Sequence, residues 1–166
     1  MPANAQPEKP SSGQESVWDY PRPPAVDPTD KHVEVIFNGV KIADTTNAKR
    51  VLETSHPPAY YIPKEDVRLE YMEQTTRSTI CEFKGRASYY TISVNGKTVQ
   101  NACWFYQSPA SGFEAIKDHL CFYPSKMEAC YVDSEEVQAQ EGDFYGGWIT
   151  SDIVGPFKGG AGTWGW

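Results

Sequence analysis

No run in this 166-residue chain comes near the roughly 18 consecutive apolar residues that a membrane-crossing helix needs. Basic charge is also in deficit. Fifteen Lys and Arg against 22 Asp and Glu leave a net charge of −7 and a pI near 4.9. That is the wrong sign for a chain that must displace counterions from a phosphate backbone, so nucleic acid is not expected as a partner. The four cysteines, Cys81, Cys103, Cys121 and Cys130, contain no C-x-x-C pair, which excludes a zinc knuckle or a dense disulfide scaffold. They read as buried thiols. The start MPANAQPEKP has no apolar stretch of the secretory-signal kind, and no G-x-x-x-x-G-K-[ST] loop or metal motif occurs. A cytoplasmic protein without membrane contact, metal or cofactor is the expectation, with its oligomeric state open, a dimer included.

What the chain does have is aromatic surface. Five Trp, ten Tyr and seven Phe make 13% of the residues, more than a disordered chain carries, while 13 Pro and 13 Gly argue against long helices. Residues 1–14 are polar and aperiodic and read as a disordered end. VWDYPRPPAVDP is instead an extended arm with Val17, Trp18 and Tyr20 to bury.

In HVEVIFNGVKIADT, apolar and polar residues alternate on both sides of Asn38-Gly39. SYYTISVNGKTVQNACWFY repeats the device around Asn95-Gly96. Asn-Gly between alternating runs is a strong hairpin signal, because both turn residues tolerate positive φ. Between the hairpins, Pro57, Pro58 and Pro63 prevent a continuous helix. A short helix or turn is expected over residues 64–71 and another over 112–117. Strands are expected over 119–123 and 128–132, joined by a Pro-Ser-Lys turn. The last stretch, YGGWITSDIVGPFKGGAGTWGW, reads as too glycine-rich for regular structure, although its three tryptophans are out of place in a solvated tail.

The groups able to do chemistry cluster around TSHPPAYYIP. His56 precedes two prolines, which hold its backbone extended and fix the direction of its ring, as a binding wall or as a histidine bonded beneath a loop. Glu53 is paired with Arg50, exposed, or functional. Tyr60 and Tyr61 must face opposite sides of an extended segment, one into the core and one into a cleft. Cys81, with Lys84 three residues on, is either an activated thiol or a strand cysteine in the core. Lys84 is a solvated turn residue or a pin for an anionic group. On the long hairpin Trp104 and Tyr106 share one strand face, and Ser88 and Tyr90 share another.

The runs SVWDYPRPP, VEVIFNGVKIADT, RVLETSHPPAYYIPKEDV, CEFKGRASYYTISVNGK, NACWFYQSP and FYPSKM stand in this order. Together they resemble the family catalogued as domain of unknown function 427, also labelled a nucleotidyltransferase domain. The resemblance covers residues 15–137, and GGWITSDIVGPFKGG is similar to a C-terminal extension, here residues 138–166. It implies a single β-tent-like domain: mainly β, with two antiparallel sheets packed at an angle over a pocket, one or two short helices and extended termini. Many folds of that type hold a four-cysteine zinc site, which this sequence lacks the paired cysteines to build. Carried over by residue, Glu53, His56, Tyr60, Tyr61, Cys81, Lys84, Ser88, Tyr90, Trp104 and Tyr106 are expected to line the concave face. The leading functional reading is a binder of a small polar or anionic ligand. The alternatives are an enzyme using His56 or Glu53 as general acid or base, with Cys81 as a further candidate, and a protein-interaction module using the Trp-rich tail.

Overall fold

The computed structural model describes residues 4–142 and 144–166. Its strands in chain order are β1 (Glu15–Ser16), β2 (Ala25–Pro28), β3 (Val33–Phe37), β4 (Val40–Thr45), β5 (Lys49–Leu52) and β6 (Ala59–Pro63). There follow β7 (Met72–Cys81), β8 (Gly85–Val94), β9 (Lys97–Phe105), β10 (His119–Phe122), β11 (Ala129–Val132) and β12 (Glu135–Glu136). Three two-residue strands complete the set: β13 (Gln138–Ala139) pairs with β14 (Trp148–Ile149), and β15 (Ile153–Val154) pairs with β1. The expected helices are single 3₁₀ turns, over Lys64–Asp66, Leu69–Tyr71 and Glu114–Ile116. The Pro-Ser-Lys turn is another, at Pro124–Lys126.

Both Asn-Gly hairpins form, with Asn38 at φ 46° and Asn95 at φ 48°, and Gly39 and Gly96 also at positive φ. The first hairpin, extended by β11 and β12, makes a four-stranded sheet in the order β12-β11-β3-β4. The second anchors a seven-stranded sheet in the order β2-β5-β6-β10-β9-β8-β7. Three of those strands carry no clear signal in the sequence. β5 and β6 occupy the proline-rich connection, and β7 is a polar edge strand, MEQTTRSTIC, without apolar alternation.

The period of two divides the large sheet into two faces. One face carries Tyr60, Ile62, Ile92, Cys103, Phe105, Leu120 and Phe122. These pack against Val33, Val35, Phe37, Cys130 and Val132 of the small sheet in the main core. The other face carries Tyr61, Ala87, Tyr89, Tyr106 and Cys121, with Phe113 and Ile116 folded onto them. At roughly 25 cal/mol per Å² of apolar surface removed from water, the two-sheet core is the chief stabilising term, and the second face is left free to shape a site.

The termini lie on the domain. Arg50 reaches from β5 to Glu15 and Asp27 of the N-terminal arm, with closest distances of 2.9 and 2.6 Å, rather than to Glu53. Residues 4–14 run along the C-terminal segment, where Ala5 is buried and the Glu8 N–H donates to Gly155 O at 2.8 Å. The tail that reads as irregular supplies two short strands and a core residue. Trp148 is fully buried, tilted against Tyr60 at 5.2 Å between ring centroids, and its indole N–H donates to Phe122 O at 3.0 Å.

Candidate functional site

On the second face of the large sheet lies a cavity of about 360 Å³. Its floor is a row of rings and small side chains set by strand register. Tyr89 on β8 stands opposite Trp104 on β9, and Trp104 stands opposite Cys121 on β10. The Trp104 N–H donates to Tyr61 Oη at 3.0 Å, and Tyr123 lies 4.7 Å from the Trp104 ring. Burial raises the Tyr61, Tyr106 and Tyr123 phenols and the Cys121 thiol, so all four stay protonated near neutral pH. Edge strand β7 contributes Arg77, Thr79 and Cys81. The Thr79 hydroxyl is hydrogen-bonded to Tyr89 Oη at 2.9 Å, and the Arg77 guanidinium lies 5.0 Å from the Tyr89 ring.

The wall containing His56 is built by a tight turn. The His56 N–H donates to Glu53 O, and Ser55 takes φ 72° between them. The turn is clamped from both ends of the chain, because the Ser55 N–H donates to Val17 O and the Lys158 N–H donates to Ser55 O. Pro57 and Pro58 then carry the strip along the cavity into β6. The Ser55 hydroxyl, fully buried, finds no partner among the described residues.

The proton on His56 can be placed from its neighbours. The Gln140 amide is fixed by two backbone contacts: its Oε1 accepts from the Gly147 N–H at 3.1 Å and its Nε2 donates to Lys158 O at 2.6 Å. The same Nε2 therefore offers its other hydrogen to His56 Nδ1 at 3.4 Å, leaving the imidazole proton on Nε2. Burial, with the charges of Lys158, Arg22 and Lys84, pushes the imidazole pKa down to about 3. Glu53 Oε2 is 3.8 Å from His56 Nε2, too far for a hydrogen bond, and is shared with Arg22 at 3.5 Å, so it does not reverse that shift.

The roof comes from residues 138–166. Tyr145 meets the His56 ring edge-on at 5.0 Å, and Lys158 Nζ lies 5.7 Å from the Tyr145 ring. Gly146 and Gly147 lie against the wall where no side chain fits. A Cβ on Gly146 would fall 2.4 Å from Trp104 Cη2, and one on Gly147 2.5 Å from Gln140 Oε1 and 2.6 Å from Pro57 Cγ.

Of the residues expected on the concave face, Glu53, His56, Tyr61, Cys81, Lys84, Trp104 and Tyr106 border this one cavity. Three are placed elsewhere. Tyr60 faces the main core, because Tyr61 takes the cleft side of β6. Ser88 and Tyr90 point away from the cavity, and Tyr90 stacks on Phe105 at 4.8 Å beside a separate polar depression. The parity was readable. A two-residue Asn-Gly turn pairs Val94 with Lys97, so Trp104 must share a face with odd-numbered residues of β8, and the bulge between Tyr90 and Ile92 shifts the register without changing that parity. Tyr89 and Ala87 are the true neighbours. Arg77 and Thr79, on a strand without alternation, and Gln140, Tyr145 and Lys158, in the C-terminal segment, had no such local signal.

Among the described residues, one group offers metal-ligand geometry, and it is remote from the cavity. His32, Glu34 and Asp44 on the small sheet bring ligand atoms within 4.8 Å of one another, but Lys41 already forms ion pairs with both carboxylates, at 2.9 and 3.4 Å.

Compared with known protein families, residues 25–133 match the model labelled NTP_transf_9, described as Domain of unknown function (DUF427). No curated protein matches the chain. The matched span supplies the cavity floor and the His56 turn, while Gln140, Tyr145 and Lys158 lie beyond it. Since the match extends over well over half of the 166 residues, the chain belongs to the family described as Domain of unknown function (DUF427).

Proposed function

We propose that the protein binds a small polar or anionic ligand in the aromatic cavity beside His56 and Trp104. The observation that carries this reading is a concavity of about 360 Å³ on the face of the large sheet turned away from the main core. That volume falls within the range of small-molecule sites, as does a mostly ring-lined wall with a few polar groups. Buried aromatic surface that served stability alone would be expected to close on itself, as Tyr60 and Trp148 do on the other face.

Binding is favoured over proton transfer by the state of His56. An acid or base works best with a pKa near the operating pH, and an imidazole held at about 3 is a weak base at neutrality. What it offers is a fixed N–H donor. Glu53 is shared with Arg22, and the other cavity acid, Glu82, is exposed, which is not the paired carboxylate set that metal-assisted nucleotidyl transfer uses. The tail serves the cavity more than an outside partner: Trp148 is in the core and Trp166 packs on Trp18 at 5.4 Å, leaving Trp164 exposed.

The test is a thermal-shift and protein-observed NMR screen of the full chain against a chemically diverse small-molecule set. Compounds that raise the melting temperature should move the Trp104 indole N–H resonance and lose their effect in Ala87→Phe, which fills the cavity. Stabilising compounds that leave that resonance unmoved and act equally on Ala87→Phe would overturn the assignment.

A further inference from the structure

Three cations border the cavity: Arg77 and Lys84 from the family domain, and Lys158 from the C-terminal segment. Among the described residues none of them has an Asp or Glu carboxylate within 4.0 Å. Arg77 lies on the Tyr89 ring, and Lys158 Nζ donates to the main-chain oxygen of Trp166 at 3.1 Å. Against them stand two acids. Glu53 is shared with Arg22, and Glu82 is exposed at the rim. In a chain of net charge −7, this is a local excess of positive charge, concentrated in a site of lowered dielectric. Lys84 and Lys158 border the same cavity although 74 positions separate them in the chain, and the charges of both act on the buried His56 ring.

The rest of the lining recognises a different chemistry. Tyr61, Tyr89, Trp104 and Tyr123 present ring edges and faces, and aromatic pairs favour offset or edge-on contact with another ring. Ring faces carry partial negative charge and repel an anion, so a ligand with both parts has one orientation available: ring toward Trp104, charge toward the lysines. The volume, at the lower end of the usual range for ligand sites, limits the occupant to a small molecule.

We propose that the occupant is a small planar aromatic anion, its ring held against Trp104 and Tyr89 and its anionic group held between Lys84 of the family domain and Lys158 of the C-terminal segment. This rests on reading the cavity as a binding site and adds the ligand class. It also makes residues beyond the family match determinants of specificity, since Lys158 supplies half of the head-group subsite.

The experiment compares 2-naphthoate with its neutral isostere 2-naphthamide by calorimetric titration of the full chain. Inorganic phosphate serves as the ringless anion. The naphthoate should bind about tenfold or more tighter than the amide, as expected when one charge-assisted contact is added. Phosphate alone should bind more weakly than the naphthoate. In Lys158→Met and in Lys84→Met the preference should fall to within about twofold, with the affinity for the amide unchanged. Both lysine side chains lie outside the main core, so the variants should keep the wild-type melting temperature. Equal affinity for naphthoate and amide in the wild type would overturn the anionic subsite while leaving the cavity a ligand site. Phosphate binding as tight as naphthoate would overturn the aromatic half. If neither naphthalene binds and the screen described above also fails to find a cavity ligand, the proposal and the reading beneath it fall together.

Discussion

The indole N–H of Trp104 donates to the phenol oxygen of Tyr61 at 3.0 Å, tying β9 to β6 across the intervening β10. Forty-three positions separate the two residues in the chain. The contact fixes the Trp104 ring as the floor of the cavity, and burial keeps the Tyr61 phenol behind it protonated. Tyr61→Phe keeps the ring and removes the acceptor. An indole N–H deprived of its partner in a half-buried site should cost about 1–3 kcal/mol in urea unfolding and shift the Trp104 indole resonance. An unchanged resonance would show that the two groups are not bonded.

Gly146 tests whether the C-terminal segment roofs the cavity. A methyl group there would meet Trp104 at 2.4 Å, so Gly146→Ala must move either the ring or the segment. Overpacking of this kind should cost about 1–3 kcal/mol and red-shift the tryptophan emission. Gly165→Ala also alters a glycine of the C-terminal segment, but at a position where a Cβ would meet nothing within 4 Å and the backbone is outside the left-handed region. Its emission should match the wild type.

His56 gives the protein a defined acid sensitivity. Its folded pKa is about 3 against an ordinary value of 6.5, so between those values the unfolded chain takes up a proton that the folded chain does not. Stability from this source is complete above about pH 6.5 and is lost as pH falls, by about 1.4 kcal/mol for each pH unit within the window. The groups facing the ring are Gln140, Tyr145 and Glu53, with the charges of Lys158, Arg22 and Lys84 acting on it. Carboxyls also weaken the fold in acid, at lower pH. The Arg50 guanidinium holds Glu15 low, and the His32 ring holds Asp44 low. The difference between wild type and His56→Gln isolates the imidazole. Urea midpoints from pH 7 to pH 4 should fall less steeply in the variant, and parallel curves would place the ring in solvent.

Trp148 lies beyond the family match yet packs in the family domain's main core. Trp148→Ala removes the partner of Tyr60 and the donor to Phe122 O, and should cost about 3–5 kcal/mol. Trp164→Ala, by contrast, changes a side chain that is 89% exposed and should leave the urea midpoint within about 0.5 kcal/mol of wild type. Equal effects from the two would mean that the segment does not seat as described.

Much of the scaffold was legible because its cues are local. Asn38-Gly39 and Asn95-Gly96 specify their hairpins through backbone conformations that few other pairs adopt, and alternation around them marks which residues are buried. The prolines after His56 fix an extended strip in the same local way. The adjacency of Tyr60 and Tyr61 guaranteed that one would face each side of β6, though not which. Strand β7 was not legible, since an edge strand whose cavity face is polar has no apolar pattern to show. Arg50 illustrates the same limit for charges. Its nearest acid in sequence on the candidate wall is Glu53, but the arm brings Glu15 and Asp27 to it instead.

The sequence by itself determined a mainly β chain with two Asn-Gly hairpins, a rigid proline strip at His56 and a ring-rich surface too large to leave in water. Those features follow from steric preference and side-chain period within a few residues. Only the tertiary structure decided that the strip, the long hairpin, the edge strand and the glycine-rich tail close on one cavity. It also decided that Lys84 and Lys158 both border that cavity and that the His56 imidazole is neutral. Such outcomes depend on strand order and on how closely distant backbones approach, as at Gly146 over Trp104, and no local pattern encodes a distance between segments so far apart in the chain.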